Sequence, residues 1–258
     1  MTGPQVNTRR APVALAACAL WLAVLAAPPL TAEAAKPALG IDISRFQGVI
    51  DWTQVRGAGV SFAYVQASRG SGVDCTVAST SCGADPYFAT NRVNAVANGV
   101  RVGAYHRAFA TGSNMAAARA DAQAEASVFL TQVGALNAGE LIPVLDVETP
   151  FTGLNPKRLT VWVRTWLKRV AGGLGRKPMI YTNATSWGAT GNTREFAKAR
   201  YPLWVAHWSV SKPSVPALNW AGKGWSVWQY TSSGSIAGIS GRVDLNRIRF
   251  RLRKITVF

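Results

Sequence analysis

Asp146 and Glu148 stand two residues apart in "ELIPVLDVETP" (140–150), at the end of a strongly apolar run. Acids are scarce in this chain, with 12 Asp and Glu against 28 Lys and Arg. On a strand, side chains at i and i+2 face the same way, about 6.6 Å apart along the chain. Two carboxylates so placed can divide one task. One protonates a leaving oxygen while the other stays ionised, as in the hydrolysis of a glycosidic bond. A divalent cation is the other chemistry that uses clustered carboxylates.

The remaining acids sort by position. Asp51 and Asp85 head candidate helices as caps. Asp121 and Glu125 fall on the expected exposed face of a long helix. Asp74, Glu140 and Glu195 lie in loops or at helix edges. That leaves Asp42 on the first candidate strand and Asp244 on the last. Four acids converging on one spot are costly unless paired or hydrogen-bonded. The alternative to a catalytic site is a structural ion-pair cluster with nearby arginines.

The elements that must position these acids alternate. Candidate strands are "GIDIS" (40–44), "VSFAYVQAS" (60–68), "VRVGAYHRAF" (100–109), "LIPVLDVE" (141–148), "PMIYTN" (178–183), "PLWVAHW" (202–208), "GWSVWQYTSS" (224–233) and "GRVDLN" (241–246). Most are apolar throughout, as strands buried on both faces are. Helical segments with caps or an early proline fill the earlier gaps, at Asp51, Asp85-Pro86 and Asn155-Pro156, with an Ala-rich helix in "SNMAAARADAQAEASVFLTQVG". Alternation predicts an α/β fold with a parallel sheet. Eight runs in one domain predict a (β/α) barrel whose first and last strands adjoin. After residue 184 the helices fade, so loops should join the last strands. Asp146 and Glu148 then sit at the C-terminal mouth, where such barrels carry their sites.

The termini and the charge add context. Arg9 and Arg10 precede an apolar run to about Leu30, followed by Ala32-Glu33-Ala34. This reads as a secretory signal peptide, residues 1–34, cut after Ala34. Residues 35–258 then form a single domain. Cys75 and Cys82, in a polar loop of an exported chain, read as a disulfide. The net charge of +16 favours anionic partners such as nucleic acid, acidic lipid or an acidic polymer. At the C-terminus Arg247, Arg249, Arg251 and Arg253 alternate with Ile248, Phe250 and Leu252. On an extended strand that alternation makes one basic face. Ten tryptophans, with Trp204, Trp208, Trp225 and Trp228 near strand ends, offer platforms for the C–H faces of sugars, although core packing is the ordinary role of a tryptophan.

Taken in order, "GIDISRFQGVIDW", "DPYFATNRVNAVANGVRVGAYHRAF", "LIPVLDVE", "MIYTN", "LWVAHW" and "WSVWQYTSSGSIAGISGRVDLN" resemble the motifs of glycoside hydrolase family 25, the muramidase-type lysozymes. The resemblance covers about residues 39–246. It implies an irregular (β/α) barrel and cleavage of the β-1,4 bond between N-acetylmuramic acid and N-acetylglucosamine in peptidoglycan. It implies Glu148 as the catalytic acid and Asp146 as the partner that helps the substrate's own N-acetyl group act. Asp42 and Asp244 match the other pocket carboxylates, and Tyr105, Tyr181, Trp204 and Gln229 match substrate-lining positions. The implied partners are bacterial peptidoglycan and its anionic wall polymers, for a secreted or wall-associated monomer. Nucleic acid, a membrane anchor after signal cleavage, a cofactor and a metal are not implied. Two stretches depart from the family pattern. Lys-x-Thr/Ser-Glu-Gly reads Gln66-Ala67-Ser68-Arg69-Gly70 here, and Tyr-His-Phe reads Tyr105-His106-Arg107. Gln66 and Arg69 in place of a Lys and a Glu add one positive charge in total, which should lower the pKa values of nearby carboxylates and give an acidic optimum.

Three other readings compete. A barrel that holds wall glycan with little cleavage is disfavoured by the retained Asp146 and Glu148. A basic nucleic-acid binder lacks any nucleic-acid motif. A metal-dependent phosphodiesterase would lose activity to a chelator.

Overall fold

The computed structural model describes residues 1–5, 7, 37–72 and 83–258. The signal cleavage point after Ala34 and both Cys75 and Cys82 lie outside them. The chain divides into a unit of residues 1–35 and one of residues 36–258, and the second carries the strands and helices that follow.

The apolar runs become strands β1 (Leu39–Ile43), β2 (Val60–Arg69), β3 (Gly83–Ala84), β4 (Arg101–Arg107), β5 (Val144–Asp146), β6 (Met179–Thr182), β7 (Leu203–Ala206), β8 (Val227–Gly234) and β9 (Val243–Ile248). They pair in the order β1-β9-β8-β7-β6-β5-β4-β2, and β1 also pairs with β2, which closes an eight-stranded barrel. The two-residue β3 hangs on the end of β2. The helices are α1 (Trp52–Gly57), α2 (Phe88–Ala97), α3 (Met115–Val133), α4 (Pro156–Leu174), α5 (Ala184–Gly188), α6 (Glu195–Lys198) and α7 (Pro216–Ala221). Those after α4 are short, as the thinning pattern predicts.

The last strand departs from the expected parallel sheet. β9 runs antiparallel to both β8 and β1, while every other barrel pairing is parallel. The connection from Gly234 to Val243 explains it. A parallel crossover takes about a dozen residues or more, whereas a hairpin closes in fewer.

Two apolar layers result. Outside the sheet, Phe129 of α3 and Trp162 and Trp166 of α4 are fully buried against the strands. Inside the barrel, Phe62, Tyr64, Tyr105, Met179, Tyr181 and Trp204 pack together. Two glycines make room for that filling. A Cβ on Gly40 would lie 2.1 Å from the Phe62 ring, and one on Gly103 would lie 2.3 Å from the Tyr64 ring.

The C-terminal arginines do not form one face. The extended strand stops at Ile248, and Leu252–Ile255 coil into a 3₁₀ turn that brings Ile255 into the inner layer, with Phe250 and Leu252 beside it. The segment closes the floor of the barrel through hydrogen bonds from Ile142 N to Ile255 O and from Val257 N to Glu140 O. Burial of these apolar residues outweighs continued extension. The arginines scatter: Arg247 lies over the Tyr230 ring, Arg249 donates to Lys223 O, and Arg253 lies over the Phe258 ring.

Two acids also differ from expectation. Asp85 does not cap α2, which starts at Phe88. Its buried carboxylate accepts from the backbone N–H groups of Arg45 and Tyr87, at 2.8 and 2.9 Å, and so ties the turn after β1 to the start of α2. Glu125 is not on an exposed face of α3; it is 1% exposed. It bonds His106 Nε2 at 2.7 Å and accepts from Phe109 N, while His106 Nδ1 meets Ser68 Oγ at 2.8 Å. The chain Ser68–His106–Glu125 resembles a hydrolytic triad, but all three side chains are sealed from solvent.

Burial drives both members of the His106–Glu125 contact toward their neutral forms. It pushes His106 down to about 3 and Glu125 up to about 8. The contact is therefore a hydrogen bond between neutral groups. A carboxyl whose folded pKa is raised stabilises the fold fully below its ordinary value of 4.5 and loses that contribution as pH rises through about 8. Glu125→Gln, which can still donate to His106 and accept from Phe109, should flatten the decline in stability between pH 5 and 8. Glu125→Ala should cost about 2–4 kcal/mol at either pH, because it leaves a cavity and two unpaired groups. Urea denaturation at both pH values checks this. An equal loss in both variants would mean that a charged pair holds the site.

Candidate active site

Strand alternation carries the acids to one place. A cavity of about 270 Å³ opens at the C-terminal mouth of the barrel, lined by Asp42, Asp146, Glu148 and Asp244 and by Tyr105, Tyr181, Trp204 and Gln229. All eight residues singled out in the sequence meet there. Asp42 faces Asp244 across the β1–β9 ladder. Asp146 ends β5, and Glu148 follows it by two residues, past the end of the strand and on the rim.

Asp42 is held on every side. Gln229 Nε2 donates to both of its oxygens at 3.0 Å, and Asn246 Nδ2 donates to Oδ1 at 2.7 Å. Gln229 is oriented in turn by the Tyr181 hydroxyl and by Trp208 Nε1, each 2.9 Å from its Oε1. Burial, and then the charge of Asp244, push Asp42 well above the ordinary carboxylate range, against the lowering effect of its amide donors. Asp244 is raised to about 6, mainly by burial. Both carboxyls are therefore easier to protonate than ordinary ones.

This arrangement has a cost that can be measured. Asp244 adds stability below about pH 4 and loses it as pH rises through about 6, because its folded pKa lies above the ordinary 3.8. Asp244→Asn should therefore be about 1–2 kcal/mol more stable than the parent at pH 7. That figure is below the full value of the shift, since the group is partly exposed. At pH 4 the two proteins should melt together. A variant that is less stable at pH 7 would show that the carboxylate is a net stabiliser.

Asp146 is the most exacting of the four. Its side chain is nearly sealed, and Oδ1 has no hydrogen-bond partner in the protein. Burial raises its pKa well above the ordinary value; Arg107 opposes this, Glu148 adds to it, and Arg69 opposes it more weakly. The expectation that local cations hold these acids low is corrected here. Arg69 acts in the expected direction on Asp146, but desolvation outweighs it.

Arg107 is the residue that the sequence left without a role. Its Nε lies 3.6 Å from Asp146 Oδ2 and its Nη2 lies 3.8 Å from Glu148 Oε2. It also donates to the carbonyls of Ala108, Glu148 and Thr149. Its signal was present in β4, where Tyr105 faces inward and Arg107 follows two residues later. Asn246 follows Asp244 by the same spacing. Phe46, in the single 3₁₀ turn after β1 (Arg45–Gln47), and Phe109, in the loop after β4, also line the cavity, where no strand period marks them.

The tryptophans divide. Trp204 is 2% exposed, stacks on Tyr64 at 4.9 Å and donates to Asn246, so it forms the cavity floor. Trp225 and Trp228 pack on each other in the outer layer. Trp208 is 47% exposed and lines a second cavity of about 360 Å³ with Thr149, Asn183 and His207. Asn183 Nδ2, 3.4 Å from Glu148 Oε1, joins the two cavities, so Glu148 stands between them. Among the described residues, no group of His, Cys, Asp and Glu has the arrangement of a metal site.

Residues 41–239 match the model of the glycosyl hydrolases family 25. The chain is 33% identical over 215 residues to Lysozyme M1 of Streptomyces globisporus, covering 81% of this chain and 66% of that protein, just under two thirds of its length. Its fold is similar to that of the crystallised bacterial lysozyme of Streptomyces coelicolor, with a TM-score of 0.72 and 33% identity over 86% of this chain and 96% of that one. It is also similar to the muramidase of Trichobolus zukalii, with a TM-score of 0.68 and 26% identity over 84% and 96% of the two chains. The closed mixed barrel, the acids at its mouth and these likenesses agree: the chain belongs to glycosyl hydrolases family 25, the muramidase-type lysozymes, and is a glycoside hydrolase.

Proposed function

We propose that this chain is a secreted lysozyme that hydrolyses the β-1,4 bond between N-acetylmuramic acid and N-acetylglucosamine in peptidoglycan. Glu148 is the general acid, and Asp146 steers the substrate's acetamide. The observation that carries this reading is the unpartnered, buried Oδ1 of Asp146 inside a cavity that Glu148 borders. A buried carboxylate oxygen without a donor is costly, and an acetamide N–H supplies the missing one. That contact, Arg107 and the positive charge that develops at the sugar all favour the ionised form of Asp146. Glu148, on the rim between the two cavities, is placed to protonate an oxygen linking sugars on either side. Exposed Phe46 and Trp208 offer apolar faces to such rings.

The test is mass spectrometry of fragments released from purified peptidoglycan. Fragments with muramic acid at the reducing end support the reading, and fragments ending in glucosamine refute the choice of bond. Secretion has its own measurement. Intact mass of the exported protein should place the first residue at Ala35 and be two protons lighter than the reduced chain, for a Cys75–Cys82 disulfide. A mass matching the free thiols removes the disulfide.

A further inference from the structure

One cation of the cavity is not used by its acids. Two arginines, Arg69 and Arg107, line the cavity, and Arg45 lies near enough to repel Arg69. Arg45 pairs with Asp85, at 3.8 Å, and Arg107 serves Asp146, Glu148 and three carbonyls. Arg69 is different. It lines the cavity, yet its Nε is buried without a hydrogen-bond partner, and among the described residues no carboxylate pairs with it. Its guanidinium lies over the Phe109 ring, 4.6 Å from the centroid, and Arg107 lies over the same ring at 5.6 Å. The ring holds the two cations in place without neutralising either.

We propose that Arg69, backed by Arg107 and Phe109, is a binding site for an anionic substituent on the glycan, a carboxylate or a phosphate ester carried by a sugar in the cavity. This rests on the glycan reading of the cavity and names the form of substrate it prefers. A guanidinium offers a planar fork of donors that fits either anion with two parallel hydrogen bonds. The acids cannot fill that role, because Arg107 holds Asp146 and Glu148 on its own side. Burial and the repulsion of Arg45 and Arg107 both disfavour the Arg69 cation, and an arriving anion relieves both costs. In peptidoglycan the anion has two sources. One is the lactyl carboxylate of a muramic acid that has lost its peptide, and the other is a phosphate on a muramic acid hydroxyl where wall polymers attach.

Binding separates these sources without depending on turnover. Calorimetry in a Glu148→Gln background, which prevents hydrolysis, would compare three tetrasaccharides of N-acetylglucosamine and N-acetylmuramic acid. One has free lactyl carboxylates, one has them converted to amides, and one has amides plus a phosphate at O6. The expected result is binding about tenfold tighter for one anionic ligand than for the neutral amide, as one charge-assisted contact gives. Whichever anion gains identifies the source. Adding Arg69→Gln should erase the gain, and Arg69→Lys should keep part of it. Equal binding of all three ligands overturns the site. So does a gain that survives Arg69→Gln, which would assign the anion to Arg107. Failure to bind any of the three overturns the glycan reading itself.

Discussion

Glu148→Gln is expected to lower peptidoglycan cleavage by roughly 10²–10⁴-fold, the usual loss when a general acid is removed. The loss should depend on the leaving group. An aryl glycoside whose phenolate departs without a proton should recover much of its rate in this variant. Asp146→Asn should be slow on both substrates, because its task lies at the sugar and its acetamide rather than at the departing oxygen. An asparagine oxygen still accepts the acetamide N–H, but it brings no charge to balance the one that develops. Initial rates of the two variants on the two substrates give four numbers. Recovery in the Asp146 variant and none in the Glu148 variant would reverse the roles.

Arg107→Met should have the second largest effect, and it should appear in the pH profile. The methionine keeps apolar bulk beside Phe109 but removes the charge that most opposes the rise in the Asp146 pKa. Without it the carboxyl is harder to ionise. The acidic limb of kcat/KM should therefore move up by about one pH unit or more, with roughly tenfold less activity at pH 5, since one pKa unit is a factor of ten in the ionised fraction below the pKa. Three carbonyls also lose a donor, so the melting temperature should fall as well. The profile, rather than the melting curve, separates the two effects. An unmoved acidic limb would show that Arg107 is only a brace for the loop after β5.

Much of the site was legible because a strand has a period of two. Spacing puts Asp146 and Glu148 on one face, although β5 ends at Asp146, and closure of the barrel brings Asp42 and Asp244 together on adjoining strands. The same period of two reaches Arg107 from Tyr105 and Asn246 from Asp244. Other features lay beyond it. Alanine occupies seven of the nineteen positions of α3, on both its faces, so little contrast distinguishes the buried face that carries Glu125 from the exposed one. The alternating arginines after Arg247 mimic a strand, and only the need to plug the barrel floor with Ile255 and its neighbours turns the chain there. The direction of β9 was legible in the length of its connection, which is too short for a helical return. The Phe46 and Phe109 walls stand on a short 3₁₀ turn and a loop, whose course depends on tertiary contacts such as the tie from Asp85 to the backbone of Arg45.

The antiparallel strand β9 also governs timing. Among the described residues it alone links β8 to β1, and it pairs Leu39 with Arg247. A chain emerging from its N-terminus cannot close the ring until β9 has appeared. Until then β1 keeps an open edge, whose unpaired backbone groups can recruit a strand from another molecule. A pairing so distant in sequence also closes slowly. A copy cut short before Val243 is thus an unclosed sheet prone to join its neighbours, and β9 decides between a closed barrel and an aggregate.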